Sequence, residues 1–191
     1  LQTQLTGLLS IYRVLKTIRG GFMIFELTVP QFIKTLKNLD GFLDKASAFA
    51  DHKKFDMEVL LNARLAPDQF NFIRQVQITC DTAKLAASRL TGKAAPVQED
   101  NEKTLTEVRA RIHSVIAYLE TFNPEDFMNA HQVVITQPRW EGKTLTGSDY
   151  VIHHVIPNFY FHTTTAYSIL RHNGVDVGKK DYLGTMPYKM P

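Results

Sequence analysis

Apolar positions recur three and four residues apart over four long stretches of the chain, the spacing that turns one face of a helix toward a core. Phe32, Ile33, Leu36, Leu39, Leu43 and Ala46 make the first stripe. Thr28 reads as its cap and Pro30 as a first-turn proline, and the helix is predicted to run to about Ala50, weakened but not ended by Gly41. Asp56 caps a short helical turn in "FDMEVLLN". The second long helix opens at Pro67–Asp68, carries Phe72, Ile73, Val76, Cys80, Ala83, Ala87 and Leu90, and stops at Gly92. After the polar linker "KAAPVQEDNEK", Thr104 and Glu107 have the spacing of a capping box and start the third helix. Its inner face is Leu105, Val108, Ile112, Val115, Ile116 and Leu119, and Asn123–Pro124 ends it.

Between the third and fourth long helices, "HQVVITQPRWEGKTLTG" changes character. Its β-branched runs are separated by Pro138 and Glu141–Gly142 and predict a small β-hairpin. The fourth helix covers about Ser148 to Arg171, with Pro157 expected to kink it, and stops at Asn173–Gly174. The tail from Val175, with two glycines and two prolines in "VDVGKKDYLGTMPYKMP", is expected to wrap the surface as coil. Four amphipathic helices in one domain predict an all-α fold, a four-helix bundle with the hairpin between helices three and four.

The first 22 residues stand apart. They contain no acid but carry Arg13, Lys16 and Arg19, and Gly20–Gly21 is expected to break them from the rest of the chain. Three readings compete: a basic presequence, an extra helix on the domain, or a stretch upstream of a native start at Met23. The third is favoured, which gives an extension over 1–22 and a bundle domain over 23–191.

Composition narrows the function classes. The 22 Lys and Arg against 19 Asp and Glu give a net charge of only +3, and no basic stripe interleaved with aromatics occurs, so nucleic acid is not an expected partner. No apolar run approaches the roughly 20 residues that span a bilayer. The single cysteine, Cys80, cannot form an intramolecular disulfide, and a cytoplasmic protein is expected. Cys80 falls within an apolar stripe and reads as a core residue. Arg109, Arg111 and His113 read as a solvated face, and Trp140 as a cover for the bundle mouth or a dimer contact.

Candidate chemistry concentrates in the fourth helix, where His153, His154, His162 and His172 are four of the seven histidines. At 100° per residue, His154, Asn158 and His162 fall within about 80° of one another, and His162 shares the inward face of Phe159, Ala166 and Ile169. A metal site in a bundle needs about three ligands from at least two helices. Helix four supplies His162, His154 and the weak ligand Asn158, while the flank of helix two supplies Gln75, Gln77, Asp81 and Lys84. A divalent metal would therefore rest on His162 with His154 or Asp81. The alternative is an Asp81–Lys84 pair on the helix surface and a core His162 satisfied by a hydroxyl or backbone partner.

"NFYFHTTTAYSILRHNGV" resembles the last helix of the DinB/YfiT-like metalloenzyme superfamily, which carries a His-x-x-x-His pair before Leu-Arg-x-x-Gly-Val. "LLNARLAPDQFNFIRQVQITCDTAKLAASRLTG" and "ILRHNGVDVGKKDYLG" resemble a domain-of-unknown-function family inside it, over about Met23 to Gly184. The resemblance implies a four-helix bundle, often dimeric, with a pocket between helices two and four. Against its ligand pattern, His162 stands where the second histidine belongs, Asn158 where the first belongs, and Gln77 or Ile78 where the helix-two histidine belongs. Neutral amides bind zinc or nickel poorly. The expectation is therefore a homodimeric small-ligand-binding or accessory protein whose pocket is lined by Gln77, Asp81, Asn158 and His162, with a degenerate metal site. A metal-dependent hydrolase or thiol transferase and a purely structural dimer are the alternatives.

Overall fold

The computed structural model describes the backbone of residues 2–190 and the side chains of residues 20–190. Helix α1 spans Gln2–Lys53, α2 Met57–Asn62, α3 Phe72–Thr91 and α4 Leu105–Leu119. Strands β1 (Val134–Ile135) and β2 (Leu145–Thr146) pair antiparallel, Ile135 opposite Leu145. Helix α5 (Gly147–Tyr150) passes through a π-helical turn at Val151–Val155 into α6 (Ile156–His172), and α7 covers Lys179–Leu183. α1, α3, α4 and α6 form the bundle: α3 packs on α6 and α4, and α1 closes the ring against α4 and α6. Its core is one cluster that includes Phe32, Leu36, Leu39, Leu43, Val76, Cys80, Ala83, Ile112, Val115, Phe159 and Ile169, each at most 1% exposed.

Several predicted boundaries move. α1 does not start at Pro30. Thr28, expected as its cap, turns its hydroxyl back onto the Ile24 carbonyl at 2.6 Å, and Pro30 lies inside the helix. The proline forgoes only the bond to the Glu26 carbonyl, and burial of Ile24, Val29 and Phe32 on either side keeps the helix running. Nor do Gly20 and Gly21 break it. A Cβ at Gly21 would collide with the Phe127 carbonyl oxygen and with Met128, so this glycine permits close approach of α1 to the turn Pro124–Phe127. The expectation of a native start at Met23 turns on residues whose side chains lie largely outside those described.

α3 begins at Phe72, later than Pro67–Asp68, because the Asn71 side chain caps it by accepting from the Arg74 amide. The Thr104–Glu107 capping box opens α4 as expected. The tail is more ordered than coil. Val175 and Val177 are fully buried, Asp181 accepts from the Gly178 amide at 2.8 Å to start α7, and Lys45 of α1 holds Asp181 at 2.8 Å.

Arg111 is also a correction. Instead of facing solvent, its side chain is only 1% exposed, held 2.7 Å from Asp81, 2.7 Å from Asp100 and 2.9 Å from Glu102. Position 111 follows Val108 by three residues and precedes Val115 by four, so it falls on the buried stripe of α4. Arg109 and His113 do sit on the outer side of α4, but both reach Asp40 of α1 at 3.0 Å.

Candidate functional site

Helices α3 and α6 run antiparallel, and three polar contacts follow the seam that α3 makes with α6 and with the end of α5. Near the start of α3, His162 Nδ1 lies 2.7 Å from Gln75 Oε1. In the middle, Asn158 Nδ2 donates to Thr82 Oγ1 at 2.7 Å. Near the end of α3, Arg89 donates to the Tyr150 hydroxyl at 2.8 Å. Beside this seam opens a cleft of about 370 Å³, lined from α3 by Arg74, Ile78, Asp81, Thr82, Leu85 and Arg89, and from the opposite side by Tyr150, His154, Asn158 and His162. Phe70 and the hairpin residues Gln137 and Arg139 complete its wall. The volume is within the range of small-molecule sites.

The π-turn helps to shape the far end. The Ile156 amide bonds to the Val151 carbonyl, five residues back, directly before Pro157, which has no amide hydrogen to give. One extra residue in a turn rotates the helix before it relative to the helix after it. Tyr150 and His154 thereby stack at 5.4 Å with an interplanar angle of 22°, and Trp140 from the hairpin packs edge-on to both, 6.1 Å from Tyr150 and 5.8 Å from His154. Trp140 thus packs against two residues of the cleft wall without lining the cleft itself.

The cleft is poor in negative charge. Asp81 lines it, but its Oδ1 is shared between Arg111 at 2.7 Å and Lys84 at 3.0 Å. Its partner set is therefore larger than the expected Asp81–Lys84 pair. Arg74 is paired with Asp100 and donates to Gln77 Oε1 at 3.0 Å. Both histidines feel the surplus of cations. Burial and the Arg74 charge push the His162 ring down to about 4, and burial with Arg139 and Arg89 lowers His154. Both rings are neutral at neutral pH. Burial pushes the Cys80 thiol up to about 12, so this sulfur is a packing atom and not a nucleophile.

Of the residues singled out in the sequence, Asp81, Asn158, His162 and His154 line the same cleft, whereas Gln77 does not. Gln77 is buried toward the other flank of α3, where Nε2 donates to Glu102 at 2.8 Å beside a second, polar cavity of about 440 Å³. His162 takes its partner from an amide side chain, not from a hydroxyl or backbone group.

The side chains present do not suit a divalent metal. His162 has its Nδ1 occupied by Gln75, which is the arrangement that orients a metal-binding histidine. However, His154 Nε2 accepts from Arg139 at 3.1 Å, and Asp81 Oδ1 is already shared by Arg111 and Lys84. Among the described residues no group of three His, Cys, Asp or Glu side chains could hold a metal ion.

Sequence periodicity missed Arg74, Arg89, Arg139, Gln137 and Tyr150. For the two α3 arginines a signal existed: Arg74, Ile78, Asp81, Leu85 and Arg89 recur at steps of four, three, four and four, a second stripe beside the core one. Gln137 and Arg139 arrive from the hairpin, and no local pattern announces them.

The family model described as "Domain of unknown function (DUF1993)" matches residues 24–183. The chain is also similar to a DinB family member protein from Shewanella denitrificans, known from its crystal structure, at 62% identity and a TM-score of 0.88, with 91% of this chain and 99% of that chain covered. No curated protein matches.

Proposed function

The chain belongs to the DUF1993 family and shares the DinB-type bundle, and from that premise we propose that it is a small-molecule-binding protein whose ligand enters the α3–α6 cleft. The observation that carries this reading is the cleft itself: about 370 Å³, with polar groups from both helices and the hairpin converging on apolar Ile78 and Leu85.

Each polar group has a defined part. Gln75 donates its own amide to the Phe70 carbonyl at 3.0 Å, so its oxygen is the atom that faces His162. The His162 Nδ1–H therefore donates, and Nε2 remains as the acceptor of a ring that lines the cleft. Asn158, anchored by its Nδ2 on Thr82, keeps its carbonyl oxygen for a ligand donor. The degenerate metal set thus becomes an organic binding set, in which neutral imidazole and amide groups orient a ligand by hydrogen bonds. Metal-dependent hydrolysis or thiol transfer is not favoured by these side chains.

The test is a thermal-shift screen of a metabolite panel on wild type and on Ile78→Trp, which fills the cleft from its α3 wall. A compound that binds only the folded state raises the melting temperature. Shifts present in wild type and lost in Ile78→Trp support cleft binding. Shifts that survive the substitution place binding elsewhere and sink the reading.

A further inference from the structure

The two ends of the cleft differ in how their cations are satisfied. At one end Arg74 is neutralised by Asp100. At the other, Arg89 spends one N–H on the Tyr150 hydroxyl and Arg139 spends one on the neutral His154 ring. Among the described residues neither Arg89 nor Arg139 forms an ion pair with a carboxylate. Guanidinium groups carry five donors each, so both retain donors and an uncompensated charge.

A third observation is independent of charge. Gln137 lines the same cleft and is 8% exposed, yet its buried Nε2 has no hydrogen-bond partner within the protein. A buried amide donor left unmet costs about 1–3 kcal/mol, which an acceptor bound in the cleft would recover once the amide turns toward it. Two guanidinium groups and an amide N–H are all donors, and what they jointly lack is an acceptor-rich anion.

We infer that the Arg89–Arg139–Gln137 end of the cleft receives the oxyanion of a small organic acid, a carboxylate or phosphate, whose apolar body lies along Leu85 and Ile78. This rests on the cleft being a binding site and adds the class of ligand. The arginine forks match the paired oxygens of carboxylate and phosphate. Asp81, the one acid on the wall, does not repel such a ligand strongly because Arg111 and Lys84 hold its charge toward α4. The apolar side chains give the body a surface to cover, and Tyr150, backed edge-on by Trp140, forms the wall at that end.

Calorimetric titration separates this inference from the reading it rests on. The probes are phenylacetate and phenyl phosphate, their neutral counterparts phenylacetamide and benzyl alcohol, and inorganic phosphate alone. They are applied to wild type, Arg139→Gln, Arg89→Gln and Gln137→Leu, with Arg171→Gln, an exposed arginine outside the cleft wall, as control. Arg139 is exposed, so its substitution leaves the fold intact even if Gln137→Leu does not. The expected result is that the acids bind wild type and the control at least about tenfold more tightly than the neutral compounds. Arg139→Gln and Arg89→Gln should each erase most of that preference without weakening the neutral compounds. The stronger of the two acids identifies carboxylate or phosphate, and a response to inorganic phosphate at the same strength as phenyl phosphate would overturn the organic body. Neutral compounds that bind as tightly as the acids would overturn the oxyanion and leave the cleft reading standing. Failure of all the probes on wild type would overturn both.

Discussion

His162 donates from Nδ1 to Gln75 Oε1 across 2.7 Å, joining the two helices that bound the cleft by their least exposed polar pair. The ring is held neutral, its pKa pushed down to about 4 from 6.5 by burial and by Arg74. In the unfolded chain it takes a proton below about 6.5; in the folded protein it does not until about 4. The unfolded state therefore binds more protons in that interval, and stability falls as pH drops from about 6.5 to 4. Discounted for water reaching part of the ring, the loss is on the order of 1 kcal/mol. Denaturant melts at pH 7 and pH 5 should show it, and His162→Gln should flatten the difference. Asp100 and Glu102, whose carboxyl groups are held below their ordinary values by arginine contacts, lose their contribution only at lower pH. An unchanged slope in the variant would remove His162 as its source.

Arg111 gathers three carboxylates from α3 and the 93–104 linker. Removing it leaves Asp81, Asp100 and Glu102 facing one another without their shared cation. Arg111→Met fills similar space without charge, and its cost should be about 3 kcal/mol, the low end for a broken buried network because the acids retain some water. The quadruple variant Arg111→Met with Asp81→Asn, Asp100→Asn and Glu102→Gln should recover most of that loss, since the repulsion goes with the charges. Chemical denaturation of both variants checks it. Equal losses in the two would assign the effect to packing of the arginine stem.

The fold was legible where local chemistry and tertiary need coincide. Thr104 and Glu107 lie three residues apart and do form their capping box, and Gly92 takes the left-handed conformation, φ 79°, that ends α3. Legibility failed where one residue type serves two purposes. Gly21 reads as a breaker but serves as a contact point for another backbone, and Pro30 reads as a helix start but is carried inside a helix by buried neighbours. Arg111 reads as surface by its charge, although its position is on the buried stripe. At the candidate site, periodicity brought Asn158 and His162 to one face. It could not bring Gln137 and Arg139, because the hairpin path is set by long-range packing. It also could not show the π-turn, which shifts helical phase before Pro157.

Two glycines test the close-approach explanation. A Cβ at Gly147 would strike the Ala130 carbonyl oxygen, and one at Gly21 would strike that of Phe127. Both obstacles are backbone, which cannot swing aside as a side chain can. Gly147→Ala and Gly21→Ala should each destabilise by about 1–3 kcal/mol or more, although alanine is the better helix former at both sites. Gly41→Ala is the matched control. It lies in α1 with nothing within 4 Å of an added Cβ, and should be neutral or stabilising by up to about 1 kcal/mol. Melting temperatures of the three variants decide the point. A stabilised Gly21→Ala would instead remove the close approach to Phe127 as the reason for a glycine there.

His162, the position where the sequence resemblance expects a metal-binding histidine, lines the cleft, and that invites a gain-of-function test. Ile78, Asn158 and His162 all line the cleft, and Asn158 lies one helical turn from His162. In wild type, zinc has one histidine with a free nitrogen and a nearby Arg74 charge that opposes cations as it opposes the proton. No melting-temperature rise dependent on His162 is expected there with zinc or nickel. Ile78→His with Asn158→His supplies two further nitrogens, one from α3 and one from α6, and meets the count and the two-helix origin that a bundle site requires. At zinc about a hundredfold above its dissociation constant, the double variant should gain about 2.7 kcal/mol, or several degrees in a chain of this size. Adding Arg74→Gln should enlarge the gain by removing the opposing charge. A zinc response in wild type that vanishes in His162→Ala would instead show a metal site that the present side chains complete by moving, and would reverse the organic reading of the cleft.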